Sequence, residues 1–406
     1  MIINIDRALK ERSNYNVLQE PLHKMMQDEQ EAWERENPID LLFVRSTISG
    51  FQETYTSSIG FAHAFAETAD YAVGPIFNQA EGFTSTYRTK TFQGGFIISQ
   101  QTLEDGQVGK IKDDASAFGR RWRADIVEYA MKSLEGAFGK ETTWGDASTG
   151  GVTYIKLDSA DTVDGKIRNP VKNPLFTNAH KTVDREDSAT SAANVKTQSN
   201  LYYADIDLSG DASNKVSSLA DVINQVITNM ENYYDDNGKI TGVLGAKTIV
   251  IPNDAHLKAA LNTAISMDMF DFGESKYLNP AYKRATVHAT PYLNDICKGT
   301  DGKSKCIFIV DKSYNQANHG LEFTERIPFT LNAFEKREAP QGIKYEGRQR
   351  FDTNVSTWRG IACIYLGNPA DDGATWANSA SMFTPIAVGS PIATPVKVVN
   401  ASEIGA

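Results

Sequence analysis

Cysteine is scarce in this chain: Cys297, Cys306 and Cys363 are the three among 406 residues. So few cannot frame a disulfide scaffold for so long a chain. Cys297 and Cys306 flank a Lys-Gly-Thr-Asp-Gly-Lys-Ser-Lys turn and are placed to face each other across a hairpin. Two such ligands without a nearby histidine make a poor metal site, so buried small apolar side chains are the expectation. Long hydrophobic runs are missing too. No stretch approaches the roughly 18 apolar residues of a membrane span, and the start, Met1-Ile2-Ile3-Asn4-Ile5-Asp6-Arg7, lacks the basic flank and apolar stretch of a signal peptide. Folding in a cytoplasm is therefore expected. Net positive charge is absent as well: the formal charge is −10, without the basic excess that nucleic-acid binders use to neutralise phosphates.

Catalytic signatures are equally wanting. The six histidines (His23, His63, His180, His256, His288 and His319) are scattered, with no His-Glu-x-x-His pair. No Gly-x-Ser-x-Gly elbow and no phosphate-binding Gly-x-x-x-x-Gly-Lys-Ser/Thr loop occurs. Asp235-Asp236-Asn237-Gly238 resembles half of a calcium loop but has no glutamate at the required later position, and reads as a helix C-terminal turn. No repeat of fixed period is visible, which argues against solenoids and propellers. Neither catalytic residues nor a metal or cofactor is expected.

What the chain does have is core material: 41% hydrophobic and 10% aromatic residues, enough for two or more compact units. From Phe83 to Phe92, Phe83, Ser85, Tyr87, Thr89 and Thr91 alternate with Thr84, Thr86, Arg88, Lys90 and Phe92, a strand pattern whose two faces are both mostly polar. Read as a hairpin, this segment cannot anchor itself and is expected to lie on another subunit. A long helix follows. Ala115, Phe118, Trp122, Ile126, Tyr129, Ala130, Met131, Leu134 and Phe138 recur at three- and four-residue spacing, opposite Arg120, Arg121, Arg123, Asp125, Glu128 and Lys132. From about Asp113 to Phe138 it would run roughly 39 Å, with Gly139 as the stop. Such a helix acts as a spine.

Elsewhere, the charged stretch from Met25 to Asn37, ended by Pro38, reads as a surface helix, either a solvated face or an arm contacting another subunit. Gly50 to Tyr71 reads as an extended arm. Residues 140–202 are poor in apolar side chains and read as an irregular insertion. Val216 to Tyr233 predicts an amphipathic helix ended at Asp236-Asn237-Gly238, and Thr248-Ile249-Val250-Ile251 a buried strand, followed by a helix capped by Asn253 or Asp254. Further strands are predicted at Ala285 to Thr290, Cys306 to Val310, Leu321 to Thr324, Phe329 to Phe334 and Trp358 to Leu366, and beyond Gly367 an extended edge segment. Mixed elements without strict alternation argue an α+β fold.

Several segments, taken in order, resemble one family. Gly94-Gly95-Phe96-Ile97-Ile98-Ser99 leads into the spine helix; Pro174-Leu175-Phe176-Thr177-Asn178-Ala179-His180 precedes Ser199-Asn200-Leu201. Thr248-Ile249-Val250-Ile251-Pro252 precedes a short Ala-rich helix, and Thr290-Pro291-Tyr292-Leu293 precedes a strand. Over roughly residues 70 to 366 this series resembles the major capsid proteins of tailed bacteriophages with the Hong Kong ninety-seven-type fold, nearest to the Mu-like major head subunits. The resemblance implies an N-terminal arm (1–71), an extended loop (72–101), a peripheral domain (102–212, with an insertion at about 140–202), an axial domain (213–345), a return strand (346–367) and a tail (368–406).

By the same resemblance the chain assembles with itself into hexamers and pentamers of an icosahedral shell, with a portal protein, a separate scaffolding protein and an optional decoration protein as partners. It would enclose double-stranded DNA without sequence-specific binding and without a membrane, in a virion assembled in the host cytoplasm. An encapsulin-like nanocompartment shell shares the fold and is the alternative; a soluble α+β enzyme is the remote one. Inter-subunit contact is assigned to Phe83, Tyr87, Arg88, Lys90 and Phe92, and the spine core to Phe118, Trp122, Ile126 and Leu134. Some capsids of this fold join a loop lysine covalently to a neighbour, but Lys90 is read as solvated or salt-bridged. His180, the best single candidate for a catalytic side chain, is a structural residue in the family motif. Residues 1–37 hold one short charged helix, too little for a fused scaffold, so an unprocessed N-terminus is expected.

Overall fold

The computed structural model describes residues 21–26, 37–60, 68, 76, 80–105, 108–139, 142–143, 152–153, 162–163, 166–167, 174–181, 197–206, 212–235, 240–271, 276–336, 342–373, 376–377 and 379–386. They fall into two units, one made of Met1–Thr54, Thr86–Lys132 and Glu322–Asn354, the other of Tyr55–Ser85, Ser133–Leu321 and Val355–Ala406. Residues 322–345 fall in the first unit, with residues 108–132 of the long helix.

The first unit centres on a four-stranded sheet in the order Val44–Thr47, Leu321–Lys336, Gly342–Val355, Lys90–Ser99. The last pair is antiparallel over ten positions, from Gly342 opposite Ser99 to Phe351 opposite Lys90. The spine helix is Val108–Gly136, 29 residues or about 43 Å at 1.5 Å per residue. Its Ile111 and Ala115 are buried with Leu22, Met26, Ile98, Phe329, Leu331, Ile343 and Tyr345, and Phe118 and Trp122 pack on that cluster. Glycine makes room for the aromatic rings. Gly94 lies opposite Gly347; a Cβ on Gly94 would sit 3.2 Å from the Trp122 ring, and one on Gly347 would sit 2.6 Å from the Phe329 ring.

The second unit holds a six-stranded mixed sheet in the order Ala285–Thr290, Lys247–Pro252, Cys306–Asp311, Ile361–Leu366, Leu201–Ala204, Thr384–Pro385. Every residue of Cys306–Asp311 and Ile361–Leu366 is buried, as expected of central strands covered on both faces. The helices Ala212–Glu231 and Ala255–Ser266 pack through Val216, Ala220, Ala260 and Ala264. Phe138, Phe176, Phe308, Tyr365, Trp376 and Phe383 form an aromatic cluster with neighbouring centroids 4.6–5.9 Å apart.

Several expectations are met. Gly139, at φ 88°, follows the spine helix, and Asp254 caps the helix after it, accepting from the His256 and Leu257 amides at 2.8 and 3.0 Å. Others need correction. The Phe83 to Phe92 segment is not a hairpin: Ala80–Arg88 pairs with Gln52–Gly60, whereas Lys90–Ser99 pairs with Gly342–Val355. Arg123, placed on the polar side of the spine, is buried, because the buried stripe widens to include Val127. The two strands predicted between Leu321 and Phe334 are one, Leu321–Lys336, and Gly342–Val355, which overlaps the start of the implied return strand 346–367, was not among the strands read from residue pattern. The helix predicted to reach Tyr233 stops at Glu231. Most of the charged stretch 25–37, the insertion and the tail lies outside the described residues, as do Asp236, Asn237 and Gly238.

Candidate functional site

The surfaces proposed for assembly begin with the strand Lys90–Ser99, whose anchoring within its own unit is chemical as well as through the sheet ladder. Lys90 Nζ donates to Tyr129 Oη at 2.9 Å and lies 3.5 Å from Asp352 Oδ2, while Tyr129 Oη donates to Asp352 Oδ1 at 2.6 Å. Burial raises the Asp352 carboxyl pKa, with the Lys90 charge and the Tyr129 hydroxyl pulling the other way. Beside this triad Phe92 stacks on Phe351 at 4.3 Å and meets Tyr129 edge-on at 5.0 Å. Of the two readings left open by the sequence, solvated or salt-bridged, Lys90 is half exposed and paired with Asp352. Tyr87 is buried, and Phe83 lies on the strand Ala80–Arg88. Arg88 is exposed, its Nε 3.1 Å from Gln52 Oε1. Of the five loop residues, Arg88 and Lys90 are the ones exposed among those whose side chains are described, while Tyr87 and Phe92 spend much of their apolar surface within the subunit.

The assigned spine residues divide between the units. Trp122 Nε1 donates to Gln349 Oε1 at 2.8 Å, and its ring meets Phe329 edge-on at 5.1 Å and Phe118 at 5.7 Å. Ile126 is buried in the first unit and Leu134 is fully buried in the second.

Beyond the individually assigned residues, further apolar side chains are exposed. In the four-stranded sheet Lys90–Ser99 is an edge strand ten residues long, and Ile97 on it is 40% exposed. Phe51 and Phe334 of the same unit are also exposed, and the Arg350 guanidinium lies 5.9 Å from the Phe51 ring centroid. In the second unit Met269 and Leu278, opposite each other on the hairpin Met269–Asp271/Lys276–Leu278, are exposed, as are Ile240 and Leu244. Contiguous apolar patches mark surfaces that another protein covers, whereas single exposed apolar side chains are common on any protein.

No catalytic constellation accompanies these surfaces among the described residues. The second unit has a cavity of about 790 Å³ lined by Asp254, His256, Asp301, Lys305, Asp371 and Asp372, among others, and Lys305 neutralises Asp301 and Asp372 at 3.4 and 3.0 Å. No group of three or more His, Cys, Asp or Glu side chains among the described residues is placed to hold a metal ion. His180 is a core residue. Its ring stacks on Trp358 at 4.1 Å, and Nε2 lies 3.1 Å from the Leu175 carbonyl and 3.2 Å from Asn200 Oδ1. Burial, helped by the Arg359 charge and opposed by those two hydrogen bonds, lowers its pKa to about 3.

That burial makes an acid-stability prediction. The unfolded chain protonates His180 near pH 6.5 and the folded chain does not, so stability falls as pH drops from about 6.5 toward about 3. By about pH 4.5 the loss is roughly 2–3 kcal/mol. Urea unfolding at neutral pH and at about pH 4.5 should show that loss in the parent, while His180→Phe, which keeps a stacking ring but cannot titrate, should lose less by about the same amount. An equal acid loss in both proteins would show that His180 is not its source.

No family model and no curated protein matches the chain. Among solved structures it is similar to a virus-like particle from Pyrococcus furiosus, at 8% identity over 85% of this chain and 98% of that one, with TM-score 0.42. It is similar to the capsid of Myoviridae phage XM1 at 11% identity over 80% and 90%, TM-score 0.43. The satellite phage P4 procapsid including size determination (Sid) protein is similar at 14% identity over 85% and 90%, with TM-score 0.41.

Proposed function

We propose that this chain is the major capsid protein of a tailed bacteriophage, forming the hexamers and pentamers of an icosahedral head around double-stranded DNA. The observation that carries the reading is the ten-residue edge strand Lys90–Ser99, which presents backbone donors and acceptors and the exposed Ile97 beside further exposed apolar side chains. A long open edge is a template for a second chain, and monomeric proteins blunt such edges. The spine helix supports the edge through Trp122, Tyr129 and the Lys90–Asp352 pair, so the surface is held ready before a neighbour arrives. The order of the capsid-like segments from Gly94 to Leu293 agrees with this reading. The net charge of −10 suits a wall that contains DNA without gripping it. Many modest contacts repeated over a shell allow errors to be corrected and still sum to a durable particle.

Partners follow from the role: copies of the same chain, a portal protein, a separate scaffolding protein and, on some heads, a decoration protein. Arg88, Lys90 and the outward edge of Lys90–Ser99 make the inter-subunit contacts. Negative-stain microscopy of the purified full-length chain at high concentration should show shells, tubes or hexameric rings; featureless small particles would overturn the proposal. Shells containing protein cargo in place of DNA, when recovered from the native source, would assign the chain to a cellular nanocompartment instead.

A finer prediction concerns amide exchange. In an antiparallel edge strand about half the amides point away from the neighbouring strand. The outward-pointing amides of Lys90–Ser99 should exchange fast in free subunits and be slowed in shells, whereas those bonded to Gly342–Val355 should be protected in both. Equal exchange of the outward set in the two states would remove this edge from the interface.

A further inference from the structure

The two faces of the four-stranded sheet in the first unit differ in charge. Along Gly342–Val355, Ile343 and Tyr345 join the apolar cluster under the spine helix, and Gln349 accepts from the Trp122 indole. Strand alternation sends Lys344, Glu346, Arg348 and Arg350 to the other face. Lys344 is neutralised there by Glu346 at 2.9 Å. Arg348 and Arg350 have no carboxylate partner among the described residues, and the Nε of each is enclosed without a hydrogen bond. Opposite them on Lys90–Ser99 stand Gln93 and Thr91, both exposed and uncharged. The two arginines, with Cα atoms about 7 Å apart along the strand, thus form a basic spot on a chain whose net charge is −10. Exposed apolar side chains flank it: Ile97, opposite Lys344, and Phe51, whose ring centroid lies 5.9 Å from the Arg350 guanidinium.

We propose that residues 27–36 of one copy of the chain dock on the Arg348–Arg350 face of a second copy. Unpaired arginines beside exposed apolar groups call for an acidic segment that carries an aromatic side chain, and the sequence holds one. Between Met26 and Asn37 lie Asp28, Glu29, Glu31, Glu34 and Glu36 against Arg35 alone, with Trp33 among them. The planar guanidinium fork binds a carboxylate through two hydrogen bonds and is weakly hydrated, so such pairs form at a partly covered face where lysine would hold its water. Trp33 brings the apolar surface that Phe51 and Ile97 lack. A second copy is the occupant because Met26 is buried on the spine side of its own sheet. Its Cγ lies 3.3 Å from the place of a Cβ on Gly119, so the acidic segment starts on the face opposite the arginines. The inference rests on the shell reading above and names a contact within it.

The experiment mixes two full-length variants, unlabelled Gln30→Cys and heavy-nitrogen-labelled Gln93→Cys, assembles them and oxidises the shells mildly with copper phenanthroline. The three native thiols are buried, and the parent chain treated alike gives the background. Peptide mass spectrometry should find a disulfide joining position 30 of an unlabelled chain to position 93 of a labelled one. Arg348→Glu with Arg350→Glu in the labelled chain should cut its yield at least about tenfold, and Glu29→Arg with Glu31→Arg in the other should restore it. Shells without the bond, a yield indifferent to charge reversal, or closure within one chain when both cysteines are placed on it would each overturn the proposal and leave the shell reading standing. Failure of the parent to form any shell would overturn both.

Discussion

Replacing Lys247 with methionine is expected to cost about 3–5 kcal/mol of unfolding free energy, because it strands the carboxylate of Asp311 in the interior. The side chains of Lys247 and Asp311 are 3% and 0% exposed and meet at 2.8 Å. Lys247 Nζ also donates to the carbonyls of Val243 and Gly245 at 2.6 and 2.7 Å, and Asp311 Oδ1 accepts from Ser313 Oγ and the Tyr314 amide. Burial alone would raise the Asp311 pKa; these hydrogen bonds and the Lys247 charge outweigh it and lower it. Its contribution is therefore present above the unfolded value of about 3.9 and is lost as pH falls through the lower folded value. Urea titration at neutral pH checks the first claim, and a loss under about 1 kcal/mol would show that water reaches the pair.

Trp122→Ala should be comparably damaging, about 3–5 kcal/mol, since it empties the space between Phe118, Phe329 and Gly94. It also takes from Gln349 Oε1 its indole donor. Trp122→Phe keeps most of the ring and should lose less. Arg121, 70% exposed and paired with Asp125 at 2.8 Å, is the contrasting position: Arg121→Ala should change stability by no more than about 0.5 kcal/mol. Equal losses at Trp122 and Arg121, measured by denaturant unfolding, would mean that the packed face of the spine had been misassigned.

The spine was legible because its apolar residues recur at helical spacing, and the strand Ala285–Thr290 because half of its residues, Thr286, Val287 and Thr290, are β-branched. Pairing was not legible. The partner of Lys90–Ser99 is Gly342–Val355, some 250 residues later, and nothing in Lys-Thr-Phe-Gln-Gly-Gly-Phe-Ile-Ile-Ser specifies so distant a neighbour. That partner was itself hidden: its inward positions include Gly347, Gln349 and Thr353, so burial alternates while hydrophobicity does not. The carboxylate of Asp352 lies on the same strand, which is why Lys90 could be read as salt-bridged but its partner could not be named. Pro328 made one strand look like two. The short strand Val44–Thr47 pairs only with residues 322–325, so Pro328 falls beyond its reach, where a missing amide is tolerated.

The order of strands in the six-stranded sheet also sets a timetable for synthesis. Leu201–Ala204 is flanked by Ile361–Leu366 and Thr384–Pro385, both of which leave the ribosome later. Some 160 residues separate Ala204 from Leu366, roughly 8–30 s of translation at about 5–20 residues per second. Through that interval the early strand has no partner and the second unit cannot close, so a nascent chain is a poor recruit for a growing lattice and a natural client for chaperones.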